Sequence, residues 1–354
     1  MGPVKQDKDG TSGRTGSFLN EMVVAAGMVL LLLLIWSTAQ IFFLIFAGVL
    51  LAIFLRSLSH WVDNHTPLGS GGSLAVVIFA LLGLFGLGGW YLAPDIAEQA
   101  DALFQSLPRM IHHLGAQIDQ YEWGRRILAQ APKAAERFTR PFDILSRVTG
   151  VFSTALGMVM NFIIVFFIGL YLAIDPGRYR TGLIQLAPID RRDRTEQVLN
   201  RLGDTLQWWL IGRMVAMVVI GLLTAVGLWL IGVPLALMLG LLAGILNFIP
   251  YLGPILSIVP PLLMVVTEGP TMILYVVFLY VAIQAIESYL LTPIIEQKTV
   301  SLPPALALST QVLMGVLFGG LGVIFASPIT AVGLKLVKML YIGDLLGDKR
   351  AEAE

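Results

Sequence analysis

The stretch LNFIPYLGPILSIVPP, Leu246–Pro261, lies in one of the most apolar parts of this 354-residue chain, yet it holds four prolines and a glycine. Pro250 and Pro254 flank Gly253 closely. Each proline removes a backbone donor and frees the carbonyl one turn earlier. In hydrocarbon that carbonyl must find a partner within the protein. The sequence therefore predicts a broken backbone here that is buried in protein or lines a water-filled cavity.

The composition indicates an integral membrane protein with an all-α, polytopic fold. Hydrophobic residues make up 56% of the chain and charged residues 13%, whereas soluble domains are about a quarter charged. Lys plus Arg equals Asp plus Glu, so the charge balance gives no indication of a nucleic-acid partner. The chain has no cysteine, which excludes disulfides and thiolate metal sites. It has no phosphate-binding Walker A loop, and we predict neither a cofactor nor an enzymatic activity.

Six apolar runs are predicted to cross the membrane, since a spanning helix needs about 20 mostly apolar residues. The first two are short and are separated by STAQ at residues 37–40, which we interpret as a tight hairpin. The six runs are Met22–Trp36, Gln40–Leu55, Ser73–Leu92, Val151–Ile174, Ile211–Ile231 and Met272–Leu291.

The segments outside these runs include one predicted amphipathic helix and allow the chain to be divided into regions. Between the third and fourth runs, apolar residues recur from Leu103 to Ile118 at steps of three and four, which predicts an amphipathic helix on the membrane surface or against a neighbouring subunit. The predicted divisions are a disordered cytoplasmic arm (1–20), N-terminal spans (21–93), the amphipathic extramembrane segment (94–149), a span with an arginine-rich connection (150–210), a transport domain with broken helices (211–341) and a cytoplasmic tail (342–354).

Positive charge predicts the orientation in the membrane. Arginines cluster after the fourth run, and lysines and arginines also occur near both termini. The positive-inside rule puts all three groups in the cytoplasm, and the crossing count then puts residues 94–149 outside a bacterial inner membrane. The clustered arginines are Arg178, Arg180, Arg191, Arg192, Arg194 and Arg201.

Two interrupted apolar segments share the same order of prolines and glycines. Gly232–Val266 and Ser301–Val332 each begin near a proline followed by an Ala–Leu run, and each later has a glycine and then a proline. Paired interrupted segments are typical of a transporter's binding site. We predict two re-entrant hairpins, one entering from outside and one from the cytoplasm. The alternative is two kinked spanning helices, which would give eight spans.

The helix before the second interrupted segment carries polar residues on one face: Tyr280, Gln284, Glu287 and Ser288. Ionisable residues within spans are costly and usually face a bundle interior or a pathway. Glu287 lies near the helix end, so the alternative is a carboxylate that reaches the interface. Arg213 is interpreted as marking the cytoplasmic end of its span.

Polar residues in the broken segments extend this candidate pathway. Asn247 can either cap the broken helix or bind substrate, and Gln311 in the second segment can converge on the same face. The four histidines lie outside the predicted spans, which argues against an intramembrane protease. The candidate pathway residues are Asn247, Phe248, Pro250, Tyr251, Gly253, Pro254, Tyr280, Gln284, Glu287 and Gln311.

Several motifs together resemble the autoinducer-2 exporter family, over nearly the whole chain. They are DPGRYR (175–180), WWLIGR (208–213), GVPLAL (232–237), NFIPYLGP (247–254), QAIESYLLTP (284–293), LPPALAL (302–308), GVLFGGLGVIFASP (315–328) and VKMLYIGDLLGD (337–348). Pro261 and Gly343 depart from the family's usual pattern, and neither lies among the candidate residues.

The resemblance implies a homo-oligomeric transporter, a pentamer, with a mobile domain that carries the hairpins. Its members are described as exporters of the quorum-sensing signal autoinducer-2 or as sodium/proton antiporters. We therefore expect elevator-like export of a small polar solute, with cation/proton antiport through Glu287 as the alternative. A non-transporting scaffold or channel-like oligomer is a third hypothesis. The expected partners are that solute or a monovalent cation, membrane lipid and further copies of the chain, and no nucleic acid.

Overall fold

The computed structural model describes residues 12–118, 144–266, 268–296 and 302–348. In these ranges the chain is helical and contains no strand. Five helices are long and apolar enough to cross a membrane, or six if the bent pair at residues 159–185 is counted as one span. The all-α, polytopic fold expected from the composition is confirmed.

The N-terminal half consists of α1 (Ser12–Asp63), α2 (Gly69–Ile118) and α3 (Ile144–Ile174). The predicted hairpin at residues 37–40 is wrong, because α1 runs through it without a break. STAQ contains neither proline nor glycine, so nothing in it interrupts the backbone hydrogen bonds of the helix. The polar arm is helical from Ser12, while residues 1–11 lie outside the described ranges.

The continuous α1 changes the crossing count. α3 alone separates residues 94–149 from the arginine-rich connection, so the prediction that residues 94–149 lie outside stands as before. α1, α2 and α3 together give three crossings where the sequence suggested four. With three crossings, an arginine cluster in the cytoplasm puts the N-terminus on the outer side, so the count no longer supports the predicted cytoplasmic N-terminus, which only the positive-inside rule supports. The expected amphipathic helix continues α2 as far as Ile118.

Small residues let α1 and α3 pack closely. A Cβ on Gly48 would overlap the side chain of Ile168, and one on Gly169 would overlap Leu51. Such close backbone approach replaces the hydrophobic driving force that is missing between helices in lipid. Arg56 of α1 then caps α3, because its Nε and Nη2 donate to the carbonyls of Ala173 and Ile174 at 2.6 and 2.9 Å.

After α3 the chain turns by 85° into the short helix α4 (Pro176–Gln185). Asp175 caps this helix by accepting a hydrogen bond from the backbone N–H of Arg178 at 3.1 Å. A 3₁₀ turn, Ile189–Arg191, leads into α5 (Arg192–Ile231), the long helix of the C-terminal half.

Hairpin 1 (residues 236–265) follows α5 and is built from α6 (Ala236–Leu246), α7 (Leu252–Ser257) and α8 (Val259–Val265). With 11 residues, α6 is about 17 Å long and cannot cross a hydrocarbon core of about 30 Å. Leu239 near its start and Met264 near the end of α8 share one buried cluster. The chain therefore enters, reverses at residues 247–251 and returns, as predicted for a re-entrant hairpin.

The polar helix α9 (Pro270–Ile286) continues as a π-helical segment, Glu287–Leu291, and then as α10 (Thr292–Glu296). The last helix, α11 (Pro304–Leu336), ends in a second π-helical segment, Val337–Leu345.

Hairpin 2 (residues 304–336) is α11, which folds back on itself at Gly319. Gly319 has φ 65° and ψ −147°, a backbone conformation that glycine adopts easily. Gln311 Nε2 lies 3.3 Å from Ser327 Oγ, sixteen residues further on, whereas a straight helix would separate the two by about 24 Å. Residues 304–345 meet the length criterion for a span. Because residues 304–336 of this stretch fold back as hairpin 2, the kinked-helix alternative is wrong.

The two hairpins enter from opposite ends of α5. The base of hairpin 1 packs with Leu228 near the C-terminal end of α5. The segment that follows hairpin 2 lies at the other end, where Arg194 pairs with Asp344 at 2.9 Å. This arrangement agrees with the predicted entry from the two sides of the membrane.

Candidate functional site

A cavity of about 310 Å³ lies where the two hairpins meet α5 and the polar helix. The tip of hairpin 1 contributes one wall, α5 a second, and the end of α9 with the following π segment and α10 a third. Residues of hairpin 2 and the chain just before it close the cavity. Its lining comprises Trp209, Arg213, Pro250, Tyr251, Gln284, Glu287, Ser288, Thr292, Ile295, Leu302, Pro304, Ala307 and Ser327.

A buried pair of opposite charges lines this cavity. Arg213 Nη1 lies 3.6 Å from Glu287 Oε1, and the two side chains are only 12% and 11% exposed. Arg213 also donates through Nε to the carbonyl of Phe248 at 3.1 Å, and Gln284 donates to Glu287 Oε2 at 3.3 Å. Arg213 therefore supplies a hydrogen bond to a carbonyl that has no helical donor, because the backbone of hairpin 1 is broken there.

The π-helical segment places Glu287 at the cavity. The N–H of Thr292 bonds to the carbonyl of Glu287, five residues earlier. Pro293 has no N–H to donate to the carbonyl of Tyr289, so the regular α-helical ladder cannot continue here. Single-turn π segments inside α-helices occur frequently at functional sites.

The tip of hairpin 1 holds a strained residue. Tyr251 has φ 63° and ψ −50°, a conformation that residues with a side chain rarely adopt. The preceding Pro250 accepts a hydrogen bond from Gln311 Nε2 at 2.9 Å. Gln311 also contacts Ser327 Oγ, so one buried amide joins the tip of hairpin 1 to both arms of hairpin 2.

Of the ten predicted pathway residues, Pro250, Tyr251, Gln284 and Glu287 line the cavity. Gln311 is fully buried behind the lining and holds Pro250 and Ser327 in place.

The other five candidates do not line the cavity. Phe248 contributes only its carbonyl, and its ring packs edge-on against Trp209 with the ring centroids 5.7 Å apart. Tyr280 donates to the carbonyl of Ser257 at 3.0 Å and so ties α9 to hairpin 1. These residues support the site from outside the cavity.

Gly253, Pro254 and Asn247 belong to the packing of the hairpin tip. A Cβ on Gly253 would overlap the carbonyl oxygen of Leu246, and Pro254 accepts a hydrogen bond from Ser257 Oγ at 3.0 Å. Asn247 is 1% exposed, and neither polar atom of its amide has a partner among the described residues. It therefore does not cap the broken helix through its side chain.

Arg213 is a cavity residue that the sequence interpretation did not include. It was interpreted as marking the cytoplasmic end of its span, and the structure also shows it buried against Glu287. The signal in the sequence was that Arg213 and Glu287 are opposite charges within otherwise apolar helices. Intramembrane charges pair with one another, so each could have indicated its partner.

Thr292 and Ser327 are further polar lining residues that the sequence did not single out. No group of three histidine, aspartate or glutamate side chains suited to a metal occurs in the described ranges. The cavity instead offers a guanidinium, a carboxylate, an amide and hydroxyls, a set that can hydrogen-bond a small polar molecule.

The family model described as "AI-2E family transporter" matches residues 26–342. In Bacillus subtilis (strain 168), "Putative transport protein YueF" is 26% identical over 272 residues, which are 73% of this chain and 74% of that protein. "Putative transport protein YrrI" of the same organism is 26% identical over 315 residues, 84% of this chain and 87% of the relative. "Putative transport protein sll0060" of Synechocystis is 24% identical over 339 residues, 91% and 92% of the two chains.

Proposed function

The chain belongs to the AI-2E family of transporters, and on that basis we propose that it exports a small polar solute by secondary transport, with Arg213 and Glu287 in the binding site. Membrane transport follows from the family and from the apolar helices. The observation that supports this site is the buried charge pair at the meeting point of two hairpins. Autoinducer-2, a hydroxyl-rich molecule, is the solute we propose.

The charge of the site favours a neutral solute. Glu287 is compensated by Arg213, so the pair contributes no net charge to the cavity. Arg213 Nη2 is buried and has no acceptor among the described residues. An unpaired buried donor is unfavourable, and a hydroxyl or carbonyl oxygen of the solute would satisfy it.

The size of the cavity fits the same class of solute. Ligand pockets span roughly 300–1,000 Å³, and this one, at about 310 Å³, is near the lower end. Gln284, Ser288 and Thr292 place amide and hydroxyl groups along one wall. A small molecule with several hydroxyls would find both donors and acceptors there.

Cation/proton antiport is the second candidate, and the burial of Glu287 favours it. A carboxylate that is 11% exposed in a span can carry a proton between the two sides. Against it stands Arg213, because a fixed guanidinium 3.6 Å away repels a sodium ion at Glu287.

The packing also supports a movement in which hairpin 1 and α5 travel together. A Cβ on Gly240 would overlap Ala225 of α5, and Gly244 lies against the carbonyl of Met217. Backbones packed this closely shift as one body. We propose that this body moves against the N-terminal helices in an elevator-like step within a homo-oligomer.

Flux measurements in proteoliposomes test the proposal. The reconstituted protein is offered a panel of neutral polar solutes, including autoinducer-2, and separately sodium, with and without imposed proton and sodium gradients. We expect flux of a neutral hydroxylated solute. Sodium-dependent proton movement without solute flux would instead support antiport, and the absence of all flux would support a non-transporting scaffold.

A further inference from the structure

A second and larger cavity, of about 620 Å³, lies at the corner where α3 turns into α4. We call it the corner cavity. Its walls come from α1, the end of α3, α4 and the first part of α5, and it shares no lining residue with the cavity at Arg213. One part of its lining is apolar, formed by Val49, Ile53, Leu172, Leu183 and Leu199.

Two guanidinium groups line the corner cavity. Arg56 is held in place by its hydrogen bonds to the carbonyls at the end of α3. Arg180 of α4 pairs through Nη2 with Glu196, while its Nε is buried without an acceptor among the described residues. The corner cavity therefore contains a fixed cation and an unused donor, which suit the oxygens of a phosphate.

The negative charges stand on a different wall. Asp204 lines the cavity from α5, and Glu196, the partner of Arg180, also belongs to α5. Two cations on α1 and α4 thus face two carboxylates on α5, and the positive and negative charges are equal in number. A ligand with a phosphate at one end of its headgroup and an ammonium at the other complements this arrangement better than a purely anionic one.

The position of the cavity indicates an amphiphile. The 85° bend turns α4 out of the direction of the apolar helix α3, as expected for a helix lying in the membrane interface. Leu186 and Ile189, which follow α4, are 83% and 81% exposed next to several arginines. The arginines of the cavity suit the phosphate of a lipid headgroup, and the apolar part of the lining would accommodate the start of an acyl chain.

We infer that the corner cavity binds a phospholipid with a phosphoethanolamine headgroup. The phosphate lies at Arg56 and Arg180, and the primary ammonium donates to Asp204. A choline headgroup fits less well, because its quaternary ammonium cannot donate a hydrogen bond. It would need an aromatic cage, and Tyr179 is the single phenylalanine, tyrosine or tryptophan among the described residues of the lining.

Native mass spectrometry of the delipidated, detergent-solubilised protein tests this inference, with phosphatidylethanolamine, phosphatidylglycerol and phosphatidylcholine titrated separately. The key variant is Gly203→Leu, which projects a side chain from a lining position where a Cβ has no atom within 4 Å. Gly182→Leu is the matched control, because Gly182 on α4 is equally open but does not line the cavity. Leucine favours the helix at both positions, so both variants should fold.

We expect phosphatidylethanolamine to bind more tightly than the other two lipids, and Gly203→Leu to weaken that binding by about tenfold, equivalent to 1.4 kcal/mol, or more. Gly182→Leu should bind as the wild type does. Asp204→Asn should lose the preference over phosphatidylglycerol, and Arg180→Gln should weaken binding of both.

Three results would overturn the inference. Equal binding by the two leucine variants would show that the lipid does not occupy this cavity. Equal binding of all three lipids would remove the role of Asp204. Displacement of the lipid by glycerophosphoethanolamine at equal concentration would show that the site takes a free phosphate compound and not a lipid.

Discussion

Arg213 and Glu287 form a buried ion pair, with Nη1 3.6 Å from Oε1, between helices that are distant in sequence. Arg213 lies on α5, and Glu287 begins the π segment after α9. Each buried charge is therefore compensated by the other. Both residues line the cavity that we propose as the transport site.

Removal of one partner should destabilise the protein more than removal of both. Arg213→Gln or Glu287→Gln alone leaves an uncompensated buried charge, which costs about 3–5 kcal/mol. The double variant has no buried charge and should lose less than the sum of the two. Thermal unfolding of the purified variants measures this, and additive losses would show that the two residues do not act as a pair.

The hairpin tips should not tolerate a methyl group where the backbones meet. In Gly253→Ala the new Cβ would overlap the carbonyl of Leu246, and in Gly322→Ala that of Met314. Both variants should lose transport or assembly, as read by flux and by size-exclusion chromatography. Gly333→Ala is the control, because a Cβ there meets no atom within 4 Å. Wild-type transport and assembly in the first two variants would contradict the close backbone contacts at the two chain reversals.

Gln311 should be needed to join the two hairpins. Gln311→Met keeps the length of the side chain but removes the donor to Pro250 and the contact with Ser327. Transport should fall by about tenfold or more, because the change removes the buried amide that links the tip of hairpin 1 to hairpin 2, although the Pro250 carbonyl keeps its bond from the N–H of Leu252 at 2.7 Å. Thr310→Val, which removes a bond only to the carbonyl of Leu306 in the same helix, should have little effect. Equal effects of the two changes would show that the amide has no special role.

The orientation predicts which loops are accessible from outside. In this cysteine-free chain, a cysteine at Gln130, which lies outside the described residues, should react with an impermeant thiol reagent added to spheroplasts. A cysteine at Arg191, between α4 and α5, should react only after the membrane is opened. The reverse pattern would invert the topology.

Local chemistry allowed the broken segments and the polar face of α9 to be predicted. Prolines and a glycine in an apolar run leave few alternatives to a reversal, and the reversals occur at residues 247–251 and at Gly319. The hairpin at residues 37–40 failed because polar residues alone do not break a helix. The pairing of Arg213 with Glu287 depends on how distant helices pack, and hydrophobic periodicity does not report that.

The most direct test of the central claim compares two neighbouring residues of the site, Gln284 and Glu287, by solute flux in proteoliposomes. Gln284→Ala removes an amide that can bind a hydroxyl but cannot carry a proton, whereas Glu287→Gln keeps the shape of the carboxylate and cannot release a proton. Flux is expressed per folded protein, because Glu287→Gln is expected to be less stable. With solute as the cargo, transport should be lost in Gln284→Ala and survive in part in Glu287→Gln, with its pH dependence unchanged. If instead Glu287→Gln abolishes flux together with its pH dependence while Gln284→Ala transports normally, the solute-export account is contradicted and antiport through Glu287 takes its place.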